Sequence, residues 1–158
     1  MNLLKEILVF ILLMISVNAF CVPPEGNPEE QSFNKEQVRQ TVDSIYSRNP
    51  EAAISFLHSH RKKNTIKKED QVFLHNQLGK YYYEQGHSDS AKYYYEKAVE
   101  IAENQNLERQ KYKQIAELAF FYSREGQYER AGELYKTAID YFRKNNDSIL
   151  LGTTLSSY

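Results

Sequence analysis

From Lys35 onward the apolar positions recur at three- and four-residue spacing, the pattern of successive amphipathic helices broken by short polar turns. Val38, Val42 and Ile45 predict a first helix over about Lys35 to Ser47. Asn49-Pro50 supplies a capping residue followed by proline at the first helical position, so a second helix is expected to start there and run to about Lys63. Its inward residues are Ala53, Phe56 and Leu57. A third helix spans about Lys67 to Gln85 and stops at Gly86, a residue suited to a left-handed turn. Ser88 or Asp89 is expected to cap a fourth, ending near Asn104, and Asn106 a fifth, over about Leu107 to Arg124 and stopping at Gly126. A sixth covers about Tyr128 to Lys144, and a seventh begins after Asn145-Asn146-Asp147.

Superimposed on this pattern is a longer period. Leu78, Tyr82, Gly86, Ala91, Tyr95 and Ala98 return 40 residues later as Leu118, Tyr122, Gly126, Ala131, Tyr135 and Ala138, and Gly79 is answered by Ala119. Fixed self-similarity of this length marks a stack of repeated units. The small residues (Gly79, Ala91, Ala98, Ala119, Ala131, Ala138) let two antiparallel helices approach closely, and the large ones fill the space against the neighbouring hairpin. The expected class is all-α.

These residues resemble the tetratricopeptide repeat (TPR): Leu78-Gly79-x-x-Tyr82, Ala91-x-x-x-Tyr95 and Ala98, then Leu118-Ala119-x-x-Tyr122, Gly126, Tyr128, Ala131-x-x-x-Tyr135 and Ala138. The resemblance implies antiparallel helix hairpins stacked as a right-handed solenoid. It places a degenerate repeat at 34–64, repeats at 72–105 and 112–145, and an incomplete repeat at 152–158, within a repeat domain of 32–158. Two features depart from the family. Its period is about 34 residues, whereas the six extra residues here fall between Ala98 and Leu118 and lengthen two helices. Its C-terminal proline is replaced by Glu103 and Arg143. Long-period variants are familiar in bacterial regulatory and sensor proteins.

Adding the period to Ile115 and Leu118 gives Leu155 and Tyr158, apolar residues suited to the same packing positions. A third repeat thus begins without a second helix or a polar cap, which solenoids use to keep their ends soluble. The expectation is a chain that continues beyond Tyr158, or an edge covered by a partner or by a second copy.

Ahead of the repeats, Lys5 precedes an apolar run from Ile7 to Val17, and Val17-Asn18-Ala19 reads as a small-residue cleavage box. The pattern over 1–19 resembles a secretory signal peptide cleaved after Ala19. Export to the periplasm, the cell envelope or the medium is expected. Residues 20–31 form a polar, proline-rich, disordered spacer. Cys21 is the only cysteine, so no disulfide can form within the chain; it is a possible lipidation site, although Phe20 stands where bacterial lipoproteins carry a small residue. A membrane enters only through lipid on Cys21, an uncleaved leader or a further C-terminal segment.

Charge narrows the partners. Twenty Lys and Arg against 21 Asp and Glu leave a net charge of −1, with no electrostatic case for nucleic acid. No catalytic residues are expected: there is no Gly-rich phosphate loop and no nucleophile–base arrangement. No cofactor is expected either, nor a metal, since His58 and His60 diverge on a helix, His75 lies on its apolar face and His87 sits in a turn. Arg61-Lys62-Lys63 with Lys67-Lys68 reads as a solvated connection. In the tyrosine triplets 81–83 and 93–95, neighbours point about 100° apart. Tyr82 and Tyr95 are assigned to packing, and Tyr83 to an open face.

In TPR proteins the first helix of each pair lines a concave groove. By register that groove would present Phe73, Asn76, Lys80 and Tyr83, then Ala116, Glu117, Phe120 and Arg124. Mixed aromatic and charged residues suit a peptide segment. Asn76 and Lys80 stand in swapped order for the carboxylate clamp that grips chaperone tails, and Glu117 would repel a carboxylate, so that subclass is disfavoured. The expected function is a non-enzymatic protein-interaction scaffold. The alternative is the extracytoplasmic sensor portion of a larger bacterial signalling or transcription-regulating protein.

Overall fold

Seven helices follow one another in the computed structural model, which describes residues 33–63 and 66–158: α1 (Lys35–Tyr46), α2 (Pro50–Arg61), α3 (Lys68–Glu84), α4 (Ser88–Asn104), α5 (Glu108–Arg124), α6 (Tyr128–Lys144) and α7 (Ser148–Ser157). The expected signal peptide, the spacer and Cys21 lie outside the described residues. Among the described residues there is no strand, and the architecture is an all-α solenoid of antiparallel hairpins.

The four central helices are 17 residues each and begin every 20 residues, at 68, 88, 108 and 128. The lengthened period is therefore shared equally: each helix gains three residues on the unit of about 34, close to one helical turn of about 3.6 residues. Adding about a full turn lengthens a helix while returning its apolar face to the same side.

One turn joins them all. Gly86, Asn106, Gly126 and Asn146 have φ of 78°, 55°, 76° and 55°, the left-handed conformation that ends a helix. At each, the next residue's N–H bonds back to the carbonyl five positions earlier: His87 to Tyr82 and Gln127 to Tyr122 at 2.9 Å, Leu107 to Ala102 and Asp147 to Phe142 at 2.9 Å. Asn106 thus terminates α4 rather than capping α5, a correction to the sequence reading. Asparagine tolerates the left-handed region because its short amide suits the local backbone. The start of α4 is corrected as well. His87, not Ser88 or Asp89, occupies its N-cap and makes no side-chain cap bond; Ser88 instead donates to Glu125 at 3.1 Å. Asn49 does cap α2, accepting from the Ala52 N–H at 3.0 Å ahead of Pro50.

Packing sorts the helices into two layers. Consecutive helices touch throughout, and α3 also meets α5, and α5 meets α7. α1 joins this inner layer by side chains: Lys35 pairs with Asp70 at 3.1 Å, Phe33 meets the Phe73 ring edge-on at 6.0 Å, and Tyr46 meets Tyr81 at 4.7 Å. Early residues meet early ones and late meet late, so α1 and α3 run parallel. One buried cluster holds Val38, Val42, Ala53, Leu57, Leu74 and Leu78, another holds Tyr95, Leu118, Ala119, Tyr122, Ala131 and Tyr135, and half-buried Tyr82 packs against both.

The last helix leaves its apolar register positions uncovered. Leu155 and Tyr158 are 49% and 71% exposed, because no described helix follows α7 to cover the face that α4 covers on α3 and α6 covers on α5. Thr154, which faces back toward the stack, is buried and bonds the Leu150 carbonyl at 2.7 Å.

Candidate protein-binding face

The inner layer of α1, α3 and α5 brings together residues far apart in sequence. On α1, Lys35, Arg39 and Asp43 fall at four-residue spacing, one stripe of the helix. Each finds a partner on α3. Lys35 takes Asp70, Arg39 lies over the Phe73 ring at 5.8 Å, and Asp43 accepts from the Tyr81 hydroxyl and pairs with Lys80 at 3.6 Å. These α1 residues escaped the sequence reading because the first hairpin does not share the 40-residue register; the stripe itself was the signal that could have revealed them.

The structure treats the register-assigned residues unequally. Phe73 is half-buried under Phe33 and Arg39. Asn76 is half-buried; its Oδ1 accepts from Gln77 at 3.3 Å, and its Nδ2 is buried without a partner among the described residues. Lys80 is held by Asp43 and by Glu84 (3.9 Å), with its ammonium 4.9 Å from the Tyr81 ring centre. Tyr83 leans edge-on against Phe121 at 5.7 Å and is part of the core margin rather than a free ring. Ala116 is half-buried against Ile115, Ala138 and Phe142. Phe120 (45% exposed) and Arg124 are open to solvent.

Glu117 is half-buried, and burial raises its pKa, opposed by the positive charges of Lys113 and Arg39. Its charge acts in turn on Tyr95 and Tyr135, whose hydroxyls burial already pushes up. The Tyr135 hydroxyl is buried with no hydrogen-bond partner among the described residues. Tyr81 is raised well above the usual phenol range by burial and then by Asp43.

Other groups serve structure. Tyr122 donates to Glu96 at 3.0 Å beneath Arg130, 4.1 Å from its ring centre, and burial raises its hydroxyl to about 12. Tyr82 stacks parallel on Tyr94 at 5.3 Å. Arg61, expected in a solvated connection, closes α2 with its Nε buried. Among the described residues no group of three or more His, Cys, Asp or Glu is placed to hold a metal ion, and no helix is long and apolar enough to cross a membrane. What the inner face offers chemically is binding: aromatic edges, a half-buried carboxylate and flanking cations.

Family models for the tetratricopeptide repeat match residues 72–105 and 116–145. In fold the chain is similar to a signal-transduction ATPase with numerous domains (STAND) that carries a tetratricopeptide-repeat sensor, from Pyrococcus horikoshii. The TM-score is 0.66 at 17% identity, covering 78% of this chain and 20% of that one. No curated protein matches the sequence.

Proposed function

Because this chain is a tetratricopeptide-repeat protein, we propose that it is a non-enzymatic scaffold that takes a peptide or protein segment along the inner face of α1, α3 and α5. The observation that carries the reading is that face itself. Parallel first helices contact one another and align Phe73 and Asn76 of α3 with Glu117, Phe120 and Arg124 of α5, over two successive hairpins, where an extended segment could touch each in turn. Phe120 is the anchor: an exposed aromatic beside a half-buried acid and a solvated guanidinium. A photocrosslinking residue in place of Phe120 should capture a protein segment, and the same residue in place of Tyr93, 57% exposed on the outer helix α4, should not. Equal capture at both positions would sink the reading.

A second reading is favoured by one comparison. The similar fold is described as a sensor within a STAND protein, of which the matched part is a fifth. The present chain would then be the sensing portion of a longer signalling protein. Coding sequence past Tyr158 that specifies an output domain supports this, and a stop codon there refutes it. Export rests on the apolar run Ile7–Val17 and on Val17-Asn18-Ala19. Mass spectrometry of the mature N-terminus tests cleavage after Ala19 and lipid on Cys21 together.

A further inference from the structure

On the opposite side of the first two hairpins, α2, α3 and α4 meet around two imidazoles. His75 on α3 is 4% exposed, and its Nδ1–H donates to the Gln71 carbonyl at 2.8 Å, which places the proton of the neutral ring on Nδ1. His58 on α2 lies 3.2 Å from the Tyr82 hydroxyl through Nε2. One ring joins them: Tyr94 of α4 lies 5.8 Å from His58 and 5.9 Å from His75, while stacking on Tyr82. Gln71 adds a direct tie, donating from Nε2 to the Arg61 carbonyl at the end of α2 at 3.0 Å.

We infer that this junction is a pH-sensitive joint, in which protonation of His75 and His58 in mild acid loosens the α1–α2 hairpin from the rest of the stack.

The Gln71 carbonyl favours a proton on His75, but burial outweighs it and the side-chain charges that face the imidazoles oppose protonation. From α2 come the charges of Arg61 and Lys62, and from α4 that of Lys97, itself paired with Glu100 at 2.7 Å. From α3 and α4 come the neutral phenols Tyr82 and Tyr94, and from their connection His87, 6.2 Å from Tyr82. Each imidazole also repels a proton on the other. Tyrosine faces attract a cation, but His75 is shut off from water and the nearby side-chain charges acting on it are positive. Burial is the first cause holding both histidines below 6.5.

The sign follows from linkage. Folded-state values below 6.5 mean that the unfolded chain binds protons first, so the joint holds fully above pH 6.5 and weakens as pH falls below it. The consequence reaches the inner face, because α1 supplies Arg39 over Phe73 and Asp43 against Lys80 and Tyr81. Loosening the hairpin moves one wall of the groove while leaving α5 and α6 in place. The joint operates whether or not anything occupies the groove.

Hydrogen exchange on the full chain at pH 7.5 and 5.0, corrected for intrinsic rates, tests it. Protection of the α2 amides should fall at least about tenfold more than that of α5 and α6, a free-energy difference readable by exchange. The paired substitution His58→Gln and His75→Gln should remove that difference. Equal loss in both regions, or an undiminished response in the paired variant, would overturn the joint. Should that variant fail to fold, the imidazole titration of the parent decides. His75 must titrate below a histidine in an unstructured peptide, and a value at or above it overturns the proposal.

Discussion

The ring of Tyr95 lies so close to the backbone of Gly79 that a methyl group on that glycine would sit 3.0 Å from three of its carbons. Helices α3 and α4 meet at this point, and the absence of a side chain is what allows the approach. Tyr95 is itself buried, with the Phe121 ring 5.5 Å away, so it has little space to move into. Gly79→Ala gains about 1 kcal/mol of helix propensity but overpacks a filled site, at about 1–3 kcal/mol. Net destabilisation of about 1 kcal/mol is expected in urea unfolding; a more stable variant would show that the ring has room to shift.

Leu118, the counterpart of Leu78 one repeat later, is buried among Tyr95, Ala119 and Tyr122. Leu118→Ala should cost about 2–5 kcal/mol. A thermal midpoint equal to the parent's would refute its place in the core.

Asn106 and Asn146 hold left-handed backbone that alanine adopts at about 1–2 kcal/mol. Asn106→Ala should therefore lower stability by about that amount, and Asn106→Gly should leave it equal or slightly higher. If both variants unfold alike, the turn is not what strains the alanine chain.

Asp147 caps α7 through the Leu150 N–H at 3.3 Å and pairs with Arg109 at 2.7 Å, and that Arg109 bond holds its carboxyl below 3.8. A depressed folded value means that the contribution is present above pH 3.8 and is lost as pH falls through the folded value. Exchange of the α7 amides should accelerate below about pH 4 ahead of α5 and α6. Arg109→Ala should bring that acceleration to higher pH; an unchanged profile would remove the pair from any role in docking α7.

Phe120 and Tyr83 separate binding from folding. Phe120 is exposed, so Phe120→Ala should weaken segment capture with an unchanged thermal midpoint. Tyr83 packs on Phe121, so Tyr83→Ala should lose stability whatever it does to binding. Full capture by the Phe120 variant would take that residue out of the proposed face.

The class of the molecule is legible in the order of its residues. Six identities at 40-residue spacing, carried by alternating small and large residues, admit only helices that pack closely in pairs, and the three- and four-residue apolar spacing marked where each helix runs. Local chemistry of this kind is written residue by residue, as in Asn49-Pro50 opening α2 or Gly86 closing α3. Whatever depends on a neighbouring helix emerges with packing. Asn106 and Asn49 both lie in three-residue turns, yet Asn106, in the middle of its turn, takes the left-handed conformation that ends α4, while Asn49, last in its turn, caps α2. Asp43 meets Tyr81, and Tyr94 bridges His58 and His75, through contacts between α1 and α3 or across α2, α3 and α4. Leu155 and Ile115 share a register but not an environment, since burial belongs to the helix that covers a residue and not to the residue itself.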